Sequence, residues 1–273
     1  MSGIVTLTTD FGARDGYVAS MKGVILSLAP GTQIIDITHD VGPQAVLSGA
    51  FVFESAWRYF PHGTVHVVVV DPGVGTARRR IAAAAGGHYF VGPDNGCLSA
   101  LLPSASRGRR EPGAGYRALA VEVPDGLITV AIENEAVFRG PVSATFEGRD
   151  VFAPAAAHLA RGGDIEKLGP LVASMAAFPA FRAPSGPRGL DGRVVHVDRF
   201  GNLITDIEAG DLAPGATFRA GSRTISLSQT YGTASGLSAI VGSFGTVEIA
   251  MPNGSAAQVL GLGPGDRVVA LSA

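Results

Sequence analysis

Four consecutive valines, Val67–Val70, run straight into Asp71-Pro72-Gly73-Val74-Gly75-Thr76-Ala77-Arg78, and that run limits the folds open to this chain. Uninterrupted β-branched residues describe a strand buried on both faces, the habit of parallel sheets covered by helices. The flanking sequence agrees. Ile4–Thr8 is a strand ending in Thr9-Asp10-Phe11-Gly12, and Tyr17, Val18, Met21, Val24, Ile25 and Leu28 follow at helical spacing up to Pro30-Gly31. Gln33–Ile37 is a second strand. A helix from about Pro43 to Tyr59, with proline in its first turn, then leads to the strand Val65–Val70. This β-α-β-α-β order predicts a parallel sheet with right-handed crossovers. Ligands of open α/β sheets bind at the carboxyl ends of strands, so Asp71 and the returning Arg78 are candidates for chemistry. A strand-end aspartate that only caps a turn and forms an ion pair would look the same.

Ile81–Ala85 and His88–Val91 read as a hairpin across Gly86-Gly87, and Pro93-Asp94-Asn95-Gly96 as a turn into a short helix. Leu102–Tyr116 reads as an exposed, mobile loop. Strands near Ala118–Val123 and Leu127–Ile132 precede an Ala-rich helix over about Phe152–Arg161. Pro, Gly and Ala between Phe178 and Arg188 mark a linker. Beyond it only short strands remain: Gly192–Val197, Leu203–Asp206, Thr217–Arg219, Thr224–Leu227, Thr246–Met251 and Asp266–Leu271. The predicted fold class is α/β. Residues 1–177 form an N-terminal, mostly parallel sheet with flanking helices, 178–189 a linker, and 190–273 a C-terminal antiparallel β-barrel-like domain.

Hydrophobic residues at 46% against 16% charged suit a compact globular chain. A net charge of −2 without a basic stripe argues against nucleic acid as a partner, and no apolar run is long enough for a membrane span. The single Cys97 excludes an intrachain disulfide and a cysteine-based zinc site. A cytoplasmic location is expected. Gly73-Val74-Gly75 lacks the third glycine and helix of a dinucleotide fingerprint, and no phosphate-loop, H-E-x-x-H or G-x-S-x-G pattern occurs. Asp36-Ile37-Thr38-His39-Asp40 reads as loop caps ahead of metal ligands, so no metal site is assigned. Asp10 could grip the vicinal diol of a ribose or cap the following helix. Asp198-Arg199-Phe200-Gly201-Asn202 reads first as a tight Asx turn, with the means to bind an ammonium group.

Read together, these segments are more specific than any one of them. Thr8-Thr9-Asp10-Phe11-Gly12, Asp36-Ile37-Thr38-His39, Val70-Asp71-Pro72-Gly73-Val74-Gly75-Thr76 and Gly92-Pro93-Asp94-Asn95-Gly96 come in that order. Thr145-Phe146-Glu147-Gly148-Arg149-Asp150-Val151-Phe152-Ala153-Pro154, Asp198–Asn202 and Asn253-Gly254-Ser255-Ala256-Ala257 complete the series. Over nearly its whole length the chain resembles the SAM hydroxide adenosyltransferases, or SAM hydrolases, relatives of fluorinase and chlorinase. The resemblance implies a homotrimer in which S-adenosylmethionine (SAM) lies between the N-terminal domain of one subunit and the C-terminal domain of the next. It implies attack of water-derived hydroxide on ribose C5′, giving adenosine and L-methionine, with SAM as substrate and no cofactor. Carried onto this sequence, it makes Asp71, Arg78 and Glu147 the catalytic positions. Asp10 would hold the ribose diol and Asp198 the methionine ammonium, with Asn202 fixing the nucleoside. Phe11, Thr76, Gly148, Phe200, Ser243, Phe244, Asn253, Ser255 and Ala256 complete the implied binding set.

One departure stands out. The family's hydrolases carry histidine in the T-F-H-G-R-D motif, and this chain has Glu147 there. Three explanations follow: a natural acid in place of imidazole, a second carboxyl with a raised pKa beside Asp71, or an introduced change that impairs turnover. Two other functions stay open at this point. One is a SAM-dependent halogenase, for which Gly148 leaves room but which Asp71 disfavours by repelling an anion. The other is a SAM-binding protein with weak turnover.

Overall fold

The computed structural model describes residues 3–271 and divides into two compact units. One takes Met1–Arg107 and Ala118–Phe178, the other Gly108–Arg117 and Pro179–Ala273.

The first unit holds strands β1 (Ile4–Thr9), β2 (Gln33–Thr38), β3 (Val65–Val69), β4 (Arg80–Ala85), β5 (His88–Pro93), β6 (Leu119–Glu122), β7 (Ile128–Ala131) and β8 (Ser174–Ala177). Its helices are α1 (Tyr17–Leu28), α2 (Val46–Ala56), α3 (Ser104–Arg107) and α4 (Ala153–Ala160). The main sheet runs β2-β1-β3-β5-β4-β7, parallel from β2 to β5, with β4 antiparallel to both its neighbours. Strand alternation divides the valines between two cores. Val65, Val67 and Val69 join Met21, Val24 and Ile25 of α1 and Ala155, Ala156 and Leu159 of α4, while Val68 joins Phe53 of α2 on the other face. Helices cover both sides, which is why valines can face both cores along this strand. The helix expected from Pro43 starts at Val46 instead. Gln44 sits at φ 63°, left-handed backbone that no α-helix can continue through. Strand β8, low in β-branched residues, gave no local signal; it pairs with β6 in a separate two-stranded sheet.

The second unit contains β9 (Ser185–Gly186), β10 (Gly189–Val197), β11 (Leu203–Glu208), β12 (Thr217–Ala220), β13 (Arg223–Ser226), β14 (Ser238–Val241), β15 (Thr246–Ala250), β16 (Arg267–Leu271) and one short helix, α5 (Ala256–Leu260). The order is β13-β12-β16-β10-β11-β15-β14, antiparallel throughout, and a bridge between Leu227 and Ala239 brings its two ends together as a nearly closed barrel. Leu203, Ile207, Phe218, Val247, Ile249 and Val268 fill it.

The segment expected as a mobile loop is the main surprise. Residues Gly108–Arg117 pack into the second unit, with Arg110 only 4% exposed. Arg110 donates to Asp206 Oδ2 through Nε (3.2 Å) and Nη2 (3.0 Å), and Tyr116 donates to the same oxygen at 2.9 Å. Asp206 Oδ1 accepts from the Arg193 backbone N–H at 2.6 Å. Burial raises the Asp206 pKa, and the charge of Arg110 only partly offsets it.

Candidate active site

The connection from β1 to β2 moves to one side of β1, and the return from β2 to β3 crosses to the other. The carboxyl ends of β1 and β3 therefore diverge at a topological switch point, where open α/β sheets carry their ligands. Asp10 follows β1 directly, and Asp71 follows β3 after Val70. The two strands are in register with Thr9 opposite Val69, so both acids reach the same rim.

Asp10 ties two loops together. Its Oδ2 accepts from the Gln44 backbone N–H at 2.7 Å, and among the described residues its Oδ1 accepts nothing. Thr9 Oγ1 lies 2.8 Å from His39 Nδ1, His39 Nε2 lies 3.0 Å from Asp36 Oδ1, and Lys22 Nζ donates to Asp36 Oδ2 at 2.6 Å. The Asp36–Asp40 segment is thus occupied with loop contacts. No group of three or more His, Cys, Asp or Glu able to hold a metal exists among the described residues.

Asp71 and Arg78 form a two-pronged ion pair. Arg78 Nε donates to Asp71 Oδ1 at 2.9 Å and Nη2 donates to Oδ2; the Gly73 backbone N–H adds a bond to Oδ1 at 3.2 Å. The loop between them is closed by Thr76, whose hydroxyl donates to the Gly73 carbonyl at 2.7 Å and accepts from the Arg78 N–H at 3.3 Å. Gly75 is required there. It has φ 76°, and a Cβ would stand 2.4 Å from the Ala144 carbonyl oxygen. Asn95 braces the end of β3 by donating from Nδ2 to the Val70 carbonyl at 2.8 Å.

Glu147 meets this pair from the segment Gly148–Phe152, a wide π-helical turn leading into α4. Its Oε2 accepts from Arg78 Nη2, and its Oε1 accepts from Arg80 Nη2 at 2.7 Å. Glu147 and Asp71 side chains are 3% and 5% exposed, so these charges interact with little solvent between them. Burial alone would raise the Glu147 pKa; the hydrogen bond from Arg80 and the charges of Arg78 and Arg80 overcome it and hold the pKa below the usual range. Burial likewise works against the charge on Arg78, and Asp71 and Glu147 more than compensate, keeping it above its usual value. Of the three explanations for Glu147, a raised pKa is the one this arrangement disfavours, because Arg80 supplies a second cation.

Phe11, Tyr17 and Phe146 make an aromatic wall with ring centroids 5.1 to 5.9 Å apart. Gly148 lies against it. A Cβ there would stand 3.2 Å from Met21 Sδ, 3.3 Å from a Phe146 ring carbon and 3.4 Å from one of Phe11. Any side chain larger than hydrogen at Gly148 would crowd all three.

In the second unit Asp198 organises a tight turn. Its Oδ1 accepts from the Phe200 and Asn202 N–H groups at 2.9 and 2.8 Å, and its Oδ2 from Asn202 Nδ2 at 2.9 Å. Gly201, at φ 82°, lets the turn press on Ser255, whose Oγ would be 2.1 Å from a Cβ. Ser255 caps α5 by accepting from Gln258 N–H at 3.2 Å; Asn253, at φ 57°, shapes the approach, and Ala256 is buried. Asp198, Phe200, Asn202, Asn253, Ser255 and Ala256 therefore share one end of the barrel. Ser243 and Phe244 follow Gly242 in the turn between β14 and β15, and a Cβ on Gly242 would stand 2.7 Å from Glu248 Oε2. Two further side chains belong here: Tyr231, 3.5 Å from Asn202 Nδ2, donates to Glu248 Oε1. Burial, with the Asp198 charge adding to it, raises the Glu248 pKa.

The family descriptions "SAM hydroxide adenosyltransferase N-terminal domain" and "C-terminal domain" match residues 5–169 and 192–269. The chain belongs to the SAM hydroxide adenosyltransferase family. It is similar to proteins named (R)-S-adenosyl-L-methionine hydrolase from Salinispora tropica, 40% identical across 97% of this chain and 96% of the relative, and from Thermus thermophilus, 40% identical across 96% of each. A fluorinase from an Actinoplanes species is more distant, at 32% identity across 77% of this chain and 73% of that one. The crystal structure of an uncharacterized conserved protein from Thermotoga maritima superposes with a TM-score of 0.80 at 33% identity, covering 98% of this chain and 99% of that one. For a SAM hydroxide adenosyltransferase, Arg80, Tyr17, Phe146, Tyr231 and Glu248 are the additions that sequence reasoning missed. Tyr17 and Phe146 carried a signal, Phe146 lying inside a quoted motif and Tyr17 in the helix that follows another. Arg80 sat in the run Arg78–Arg80 without a reason to prefer it, and Tyr231 and Glu248 lay outside every motif.

Proposed function

We propose that this protein hydrolyses SAM to adenosine and L-methionine by attack of water-derived hydroxide on ribose C5′. One observation carries the reading. A carboxylate has about four acceptor positions, and Asp71 uses three, on Arg78 Nε, Arg78 Nη2 and the Gly73 N–H. The fourth is free to accept a proton from one solvent molecule at the switch-point rim. In the reaction the O–C5′ bond forms as the C5′–S bond breaks. The bonding pair leaves on sulfur as a neutral thioether, and the water proton passes by way of Asp71 to solvent. No acid is needed at the leaving group, and quenching a sulfonium charge favours a site with little water. The open Oδ1 of Asp10 is suited to a ribose hydroxyl, and the aromatic wall of Phe11, Tyr17 and Phe146 to the sulfonium and ribose carbons.

The relatives' names specify the (R) sulfonium epimer, and we extend that preference to this chain. We also propose that the chain acts in the cytoplasm as a homotrimer, with Asp71 of one subunit and Asp198 of the next serving one substrate. The experiment is incubation with each SAM epimer in H2¹⁸O, with and without chloride. Adenosine labelled at its 5′-hydroxyl, from the (R) epimer and independent of chloride, is the expected product. Unlabelled adenosine, a halo-nucleoside or SAM returned intact would sink the reading. For the trimer, Asp71→Asn and Asp198→Ala chains, each inactive alone, should regain about one working site in three when assembled together; no recovery would place both residues in the same subunit.

A further inference from the structure

Arg80 opens β4 two residues beyond Arg78, and no motif reading gave it a part. Its Nη2 stands 2.7 Å from Glu147 Oε1, and its guanidinium carbon lies 5.7 Å from the centre of the Phe138 ring. Asp71, Arg78, Glu147 and Arg80 thus form a row of alternating charge, each bonded to the next. We infer that Arg80 is a positioning residue: by holding Glu147 it fixes the Arg78 guanidinium against Asp71, and Glu147 with Arg80 replaces a histidine as the support of the catalytic pair.

The inference rests on the hydrolase reading of this site and follows from hydrogen-bond capacity. Arg78 Nη2 has two hydrogens, one directed to Asp71 and one to Glu147, so the guanidinium cannot turn without breaking both. Glu147 in turn is held at both oxygens, by a different arginine on each. A glutamate placed here without Arg80 would leave two buried carboxylates on one guanidinium, an uncompensated charge in a water-poor place. Arg80 removes that excess. It is itself about one-third exposed, so its part is chiefly orientation, with the Coulomb attraction partly screened. The charged groups facing Glu147 are Arg78 and Arg80, with Asp71 beyond Arg78; in that company Glu147 stays ionised and gives up no proton in the working range. It therefore differs in kind from an imidazole, supporting the pair without titrating beside it.

The test uses full-length protein and the variants Arg80→Met and Arg80→Lys. Two readouts are needed: kcat and KM for SAM from pH 5 to 9, and ¹³C NMR titration of the glutamate carboxyls, with Glu147 assigned through Glu147→Gln. For Arg80→Met, kcat should fall by about 10- to 100-fold, as expected for a misplaced catalytic group, with KM within about threefold. The Glu147 carboxyl should titrate at higher pH, and an acid limb absent from the parent should enter the kcat profile. Arg80→Lys should restore most of kcat. Unchanged kcat with an unmoved Glu147 titration would overturn the inference, as would a loss that lysine does not rescue. Should Arg80→Met fail to fold, Arg80→Gln, which keeps a donor but drops the charge, gives the same two readouts. If the parent releases no adenosine from SAM, the functional reading fails by itself. The Glu147 titration still decides whether Arg80 supports the row.

Discussion

Asp71 is anchored by Arg78 and the Gly73 backbone and keeps one acceptor position, so changing its charge without its shape isolates its chemistry. Asp71→Asn should lower kcat by about 10²- to 10⁴-fold while isothermal titration shows SAM still bound. Lost binding with a normal turnover number would remove Asp71 from the role given to it. Glu147 offers a sharper experiment. Glu147→His alone leaves Arg80 without its anion and facing an imidazole, so it should lose activity. Glu147→His combined with Arg80→Ala should recover part of the loss, a coupling of about 1–2 kcal/mol in a double-mutant cycle. Additive effects would show that the two residues do not act together. The resemblance put Arg78 and Glu147 in one catalytic set but left the protonation of Glu147 open. That depends on Arg80, whose reach across to Glu147 is a tertiary fact, 67 residues apart in the chain.

Among the elements, those with a strong local period were legible beforehand. Val65–Val69 could be read from its β-branched run and α1 from its apolar spacing, because both signals lie within a few residues. The start of α2 was not, since Gln44 is turned left-handed at the point where Asp10, 34 positions earlier, holds its N–H. Nor was the destination of Gly108–Arg117. Its Ser-, Gly- and Arg-rich neighbourhood looks like open loop, and the partners that bury it, Asp191 and Asp206, come 81 and 96 positions later. Arg110→Met should therefore destabilise the fold by about 3–5 kcal/mol, the cost of leaving a buried carboxylate without its cation. Chemical denaturation should read this directly, whereas substitution in a true surface loop would change stability little.

Across the whole molecule, the histidines set a limit on acid tolerance. At the amino end of β3, His66 is fully buried, with Nδ1 2.8 Å from Thr6 Oγ1 and Nε2 3.2 Å from His88 Nδ1. Burial first, and then the neighbouring His88, bring its pKa down to about 3; burial also lowers that of His88. An unfolded imidazole takes its proton near about 6.5, so between about 6.5 and 3 the native state binds fewer protons than the unfolded one. Stability should be flat above about pH 6.5 and fall below it, by about 2 kcal/mol for His66 between pH 7 and pH 5. Urea unfolding of the parent and of His66→Gln checks this: the variant should lose much of the slope, and equal slopes would refute it. The chain also passes from the first unit to the second at residue 108, returns at 118 and departs again at 179. No single cut parts the halves. A fragment beginning at Pro179 would inherit Asp206 stripped of Arg110 and Tyr116, so the barrel cannot be exchanged between genes as a self-sufficient cassette unless those few upstream residues travel with it.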